Sequence, residues 1–179
     1  MKKISLLFWA VLFISGCGYT TGSLLPEHLK TIHIQPFRNK IELTDELSVD
    51  EYRFRSYRVQ LETDITKELI DRFINDGHLK VAPQEQADLI LTGDLIDYLR
   101  QPLRYGGDNE TVEEYRISIV CSVQVKDVKN DKIIWQESRL IGDSTYNVSG
   151  TYAASESLTV SAAVSDLARR IVNRTIEGW

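Results

Sequence analysis

Tyr115-Arg116-Ile117-Ser118-Ile119-Val120-Cys121-Ser122-Val123-Gln124-Val125-Lys126 is the stretch that decides the fold. Tyr115, Ile117, Ile119, Cys121, Val123 and Val125 fall on one side of an extended chain, with Arg116, Ser118, Ser122, Gln124 and Lys126 on the other. Successive side chains of a strand point to opposite faces, so the alternation describes a long strand with one buried and one wet face. Working outward, Lys129-Asn130-Asp131-Lys132 carries the Asn-Asp pair of a tight reversal, and Ile133-Ile134-Trp135-Gln136-Glu137 reads as the returning strand of a hairpin. On the other side, Leu89 to Leu99 is apolar and strand-like and closes at Gln101-Pro102. Tyr105-Gly106-Gly107-Asp108-Asn109 then supplies a turn.

A sheet with one apolar face needs a cover, and two amphipathic segments provide it. From Arg58 to Asn75, Leu61, Ile65, Leu69, Ile70, Phe73 and Ile74 recur at helical spacing, and Gly77 follows as a C-terminal cap. Near the end of the chain, Val160, Val164, Leu167, Ala168 and Ile171 repeat the pattern. Glu156 stands early in that helix and Arg169, Arg170 and Arg174 late, which suits the helix dipole. Lys30 to Phe37, with Ile32 and Ile34 alternating, is a first strand stopped by Pro36, and Leu79 to Ala82 is a short one running into Pro83. Gly142 to Ala154 is rich in Ser, Thr, Tyr and Gly and lacks a period. The order strand, helix, strands, helix predicts an α+β fold. It is a two-layer sandwich, a mixed, largely antiparallel sheet of about four to five strands with two amphipathic helices on one face.

The N-terminus has a different chemistry. Met1-Lys2-Lys3 is basic and Ile4 to Ile14 apolar, a signal peptide in outline and shorter than the roughly 20 apolar residues of a membrane span. Ile14-Ser15-Gly16-Cys17 resembles the bacterial lipobox, whose small residues admit a dedicated peptidase and whose thiol takes a diacylglycerol. The chain therefore divides into a cleaved signal at 1–16, a lipidated tether at 17–29 and a single domain at 30–179. Gly18 in place of Asp resembles lipoproteins that are not retained at the inner membrane. The expected location is the periplasmic face of the outer membrane, held by lipid.

Cleavage leaves about 160 residues, enough for one domain with a real core. The loss of Lys2 and Lys3 makes the net charge about −7, so no nucleic-acid partner is expected. With Cys17 acylated, Cys121 is the one thiol left and no internal disulfide forms. His28, His33 and His78 lack the spacing of a zinc motif, so no metal site is expected. Adjacent Glu113 and Glu114 point to opposite faces of a strand, and Gly106-Gly107 leads into a strand without the Lys-Ser/Thr of a phosphate loop. No catalytic residue is nominated and no enzyme activity expected. The Asn-x-Ser/Thr triplets at Asn109, Asn147 and Asn173 are coincidental in a bacterial lipoprotein.

Cys17-Gly18-Tyr19, Ile32-His33-Ile34-Gln35-Pro36-Phe37-Arg38-Asn39, Ala87-Asp88-Leu89-Ile90-Leu91-Thr92-Gly93 and Ile176-Glu177-Gly178-Trp179, in that order, resemble the LPS-assembly lipoprotein family LptE. Glu114-Tyr115-Arg116 and Ile134-Trp135 fit the same pattern, and the resemblance spans the mature chain. It implies a non-catalytic protein that plugs the lumen of the outer-membrane β-barrel LptD, assists its assembly and contacts lipopolysaccharide. No cofactor is expected beyond the covalent diacylglycerol and N-acyl chain on Cys17. The acidic insert from Glu42 to Glu51 departs from the family pattern. Lipid A phosphates prefer Arg and Lys at exposed strand ends. That nominates Arg100, Arg104 and Arg116 around the Gly106-Gly107 tip, and Lys126, Lys129 and Lys132 around the next hairpin. Solvated charges that discourage strand-edge pairing are the competing reading of these six. For the whole chain, the alternatives are a pilot lipoprotein of a secretin or curli pore, and an activator of peptidoglycan synthesis.

Overall fold

Three long antiparallel strands form around the apolar alternation of Tyr115 to Val125, to which the strands on either side pair in register. The computed structural model describes residues 25–41, 60–107 and 110–177. The signal 1–16, Cys17, most of the tether, the acidic insert at 42–51 and Gly178-Trp179 lie outside the described residues. In chain order the elements are β1 (Thr31–Ile34), β2 (Arg38–Asn39), α1 (Leu61–Asp76), β3 (Lys80–Val81), β4 (Leu89–Tyr105), β5 (Val112–Asp127), β6 (Lys132–Asn147) and α2 (Glu156–Glu177). A single turn of 3-10 helix, Gln84–Gln86, links β3 to β4. The sheet runs β3-β1-β4-β5-β6, with β2 alongside β4. Pairings of β1 with β3 and β4, and of β2 with β4, are parallel; β4–β5 and β5–β6 are antiparallel. This is the predicted mixed, largely antiparallel α+β sandwich.

Both helices cover one face. Ile117, Ile119, Cys121, Val123 and Val125 of β5 are buried beneath them with Leu91 and Leu95 of β4. From α1 the stripe is Leu61, Ile65, Leu69 and Phe73, each fully buried; Ile74, expected in it, is 60% exposed because it lies about 100° from Phe73 around the helix. Gly77 ends α1 as expected, in the left-handed region at φ 79°, and its N–H donates to the Phe73 carbonyl at 3.1 Å.

Two strands outrun their sequence signal. β4 continues through Pro102 to Tyr105, because its described neighbours on the β1 side end where Asn39 pairs Leu95. Past that point it is an edge among the described residues. A proline at an edge withholds no ladder hydrogen bond, and the register shift after Pro102 accommodates the ring. β6 runs on to Asn147 through the Ser- and Thr-rich segment. There pairing with β5 supplies the order that its own pattern lacks.

Segments that carried the family resemblance meet in space. The far end of the Phe37 ring lies against Gly93, occupying the space a Cβ there would need. Asp88 accepts the backbone N–H of Lys30 and Thr31 at 2.9 Å each and the Thr31 hydroxyl at 2.8 Å. These contacts fasten β1 to β4. The fastening starts earlier still, since residues 25–29, assigned to the tether, pack on the body: Leu29 is 4% exposed and Leu25 lies against the core.

Candidate functional site

The register of β5 separates the six nominated basic residues into two places. Arg100 pairs with Ile117, Gln101 with Arg116 and Arg104 with Glu114, so the arginines gather at one end of the sheet. Lys126, Lys129 and Lys132 surround the β5–β6 turn at the opposite end. From position 114 to 126 at 3.3 Å per residue the two groups stand about 40 Å apart. They cannot share one ligand headgroup.

At the arginine end, Arg100 faces the helices. Its guanidinium lies 4.5 Å from the centroid of the Tyr115 ring, and Tyr115 stacks on Tyr146 at 5.7 Å. Nη1 of Arg100 donates to Glu156 at 2.9 Å and the Tyr98 hydroxyl to the other oxygen at 3.0 Å, which anchors the first turn of α2. Burial opposes the charge on Arg100, but Glu156 outweighs it and raises the pKa further. Arg104 projects from the other face. It donates to the Asn147 side chain at 3.0 Å and lies 3.6 Å from Glu113 and 3.8 Å from Glu114, so both of those carboxylates serve a surface ion cluster. Arg116 is exposed on that same face, away from the two described helices.

The lysine end centres on an acid that sequence reasoning did not single out. Asp127 is 2% exposed and accepts from His28 Nε2 at 3.0 Å, from the Asn130 side chain at 2.7 Å and from the Asn130 N–H at 3.0 Å. Burial pushes its pKa up, but these bonds prevail and hold it at about 2. The Asp127 carboxylate accepts from the backbone three residues on, a contact local enough to read in the spacing Asp127-x-x-Asn130. His28, 99 residues away, left no local trace. Lys126 pairs with Asp131, while Lys129 and Lys132 are exposed.

The depressed Asp127 pKa has a measurable consequence. A carboxylate whose folded pKa lies below its unfolded value adds stability above the unfolded pKa and loses it as pH falls through the folded one. On the order of 1 kcal/mol, allowing for solvent at the sheet's end, should vanish between about pH 4 and pH 2. Urea titrations across that range should show a shallower loss in Asp127→Asn than in wild type; parallel slopes would dismiss the link.

Other chemistry is accounted for by packing. Cys121 sits on the helix face of β5, where burial pushes its thiol far above the nucleophilic range. A groove between the helices is lined by Asp64, Lys67, Glu68, Asp71, Val160, Ser161 and Val164, and its acidic wall disfavours phosphate. Among the described residues no three His, Cys, Asp or Glu side chains cluster to hold a metal, and no helix is long and apolar enough to cross a membrane.

Residues 29–175 match the model of the LptE family, described as lipopolysaccharide-assembly. A search of curated proteins finds no significant match. Among solved structures, the hypothetical protein CT253 from Chlamydia trachomatis is similar at 14% identity and a TM-score of 0.51, over 82% of this chain and 95% of that one. Protein XCC0632 from Xanthomonas campestris is similar at 10% identity and a TM-score of 0.51, over 87% and 88%. At such identities these two speak to the fold alone. The family match spans the whole folded body, from the buried Leu29 to the last turn of α2, and the chain belongs to the LptE family of lipopolysaccharide-assembly lipoproteins of the Gram-negative outer-membrane system.

Proposed function

We propose that this protein is lipidated at Cys17, sits on the periplasmic face of the outer membrane, and partners the LptD β-barrel as a non-catalytic plug that assists lipopolysaccharide assembly at the cell surface. The observation that carries this reading is the family match over residues 29–175. The shape of the sheet supports it. Strands of 16 and 17 residues make a slab about 50 Å long. The face turned away from the two described helices bears Thr92, Asp94, Ser122 and Gln124 beside the exposed Arg116, with the buried Val120 among them, and a barrel lumen accepts such polar groups. Pull-down of the acylated protein from detergent-solubilised outer membranes tests the partnership. Recovery of a large β-barrel protein is expected; a ring-forming secretin or curli pore in its place would turn the reading to a pilot.

Lipopolysaccharide contact is assigned to the arginine end, where Arg104 and Arg116 are exposed. Charge-assisted bonds contribute about 1.5–3 kcal/mol each, so Arg104→Ala with Arg116→Ala should weaken lipopolysaccharide binding roughly tenfold or more. Ala at Lys126, Lys129 and Lys132 should leave it nearly unchanged, since no single headgroup spans the two ends. Unaltered binding in the arginine pair would sink the assignment.

A further inference from the structure

We propose that the β5–β6 hairpin end is seated in the phospholipid headgroup layer of the membrane that holds Cys17, with Lys129 and Lys132 on lipid phosphates and Val128 and Ile133 at the apolar boundary. This rests on the lipidation of Cys17 proposed above.

Reach limits which end of the sheet the acylated residue can hold at the membrane. From Cys17 to Leu25 the chain has eight residue steps, which span at most about 28 Å at full extension. Leu25 and Leu29 pack on the core, and His28 is bonded to Asp127 at the base of the hairpin, with Asn130 of the turn 3.4 Å from its Nε2. Asp88 holds Lys30 and Thr31 at the same end, and the Val128 N–H donates to the Asp88 carbonyl at 2.9 Å. The acylated segment thus enters the body at the turn and is locked there from two sides. The Gly106-Gly107 turn, about 50 Å along β5, lies beyond the reach of the tether.

The side chains of the hairpin suit the same position. Val128 and Ile133 are 43% and 44% exposed on either side of Lys129 and Lys132. Apolar groups flanked by lysines suit a membrane boundary, because lysine stems lie along apolar surface while the ammonium reaches phosphate. The deeper Asp127 is enclosed by His28 and Asn130, and the exposed Asp131 is countered by Lys126, which leaves Lys129 and Lys132 as the excess charge of the turn. At the far end Arg100 is bonded to Glu156 and Arg104 to Asn147.

Fluorescence quenching tests this in the full-length acylated protein. It would be reconstituted in vesicles of phosphatidylethanolamine and phosphatidylglycerol containing a headgroup nitroxide lipid, with a fluorophore at Val128→Cys or at Gly107→Cys. The buried Cys121 does not compete for the label. Quenching should be several-fold stronger at position 128 than at 107, and Lys129→Glu with Lys132→Glu should bring it down towards the value at 107. Equal quenching at the two positions, or no effect of the charge reversals, would overturn the seating. Flotation of the same vesicles reads the anchor separately: protein that fails to float removes the lipidation reading and this proposal with it, whereas floating protein with equal quenching removes the orientation alone.

Discussion

Replacing Gly142 with alanine should cost about 3 kcal/mol, the upper part of the range for overpacked cores. Gly142 lies on the helix face of β6, and a Cβ there would stand 2.6 Å from the Ala163 carbonyl oxygen and 2.7 Å from the Leu167 N–H nitrogen, with the Leu167 Cβ also in the way. These are backbone atoms in the middle of α2, so no side-chain rotation relieves the clash. The helix must lift from β6, which loosens Ala163, Val164 and Leu167, all buried. Stabilities of ordinary domains are about 5–15 kcal/mol, so a loss of this size is a large fraction of the whole. For a chain of this length it lowers the melting temperature by about 6–12 °C. Gly107→Ala is the control: nothing lies within 4 Å of a Cβ there, and the change should stay within about 0.5 kcal/mol. Calorimetry on the two variants decides. An unchanged midpoint in Gly142→Ala would mean that α2 does not approach β6 this closely.

Cys17→Ala should abolish stable attachment to the outer membrane. Each acyl methylene adds about 0.8 kcal/mol of membrane affinity, and a single chain is marginal where two or more are stable. Removing the thiol removes the site of diacylglycerol transfer, so all the chains are lost together. With residues 1–17 replaced by an ordinary cleavable signal, the protein should appear in the soluble periplasmic fraction, folded, because the core draws on residues from Leu25 onward. Intact mass of the wild-type protein should show a mature chain beginning at Cys17 and carrying the acyl groups. An unmodified mass, or membrane retention without the cysteine, would defeat the lipidation reading and the partnership geometry built on it.

Much of the fold was legible because its signals are local. The alternation from Tyr115 to Val125 named the central strand and its buried face, and the spacing of Leu61, Ile65, Leu69 and Phe73 named the helix that covers it. Gly77 marked where that helix stops, since a left-handed terminal residue is readily supplied only by glycine. The lengths of β4 and β6 escaped because strand pairing ordered segments that their own composition left ambiguous. Pro102 looked like an end and is instead an edge residue among the described residues, a property of its neighbours in the sheet.

By itself, the sequence determined the fold class, the family resemblance through short motifs read in order, and the expectation of a lipid on Cys17, because periodicity and a peptidase motif are properties of adjacent residues. Only the tertiary structure decided that Phe37 covers Gly93, that Gly142 admits α2, and that the arginine and lysine groups lie at opposite ends of the sheet. It also joined His28 to Asp127 across 99 residues, so that the last stretch of the segment read as a tether packs on the body. These depend on register and on long-range contacts, for which a residue's neighbours in the chain carry no signal. The basic residues could be picked out by type; which of them act together is set by how far a strand of 16 residues carries one end from the other.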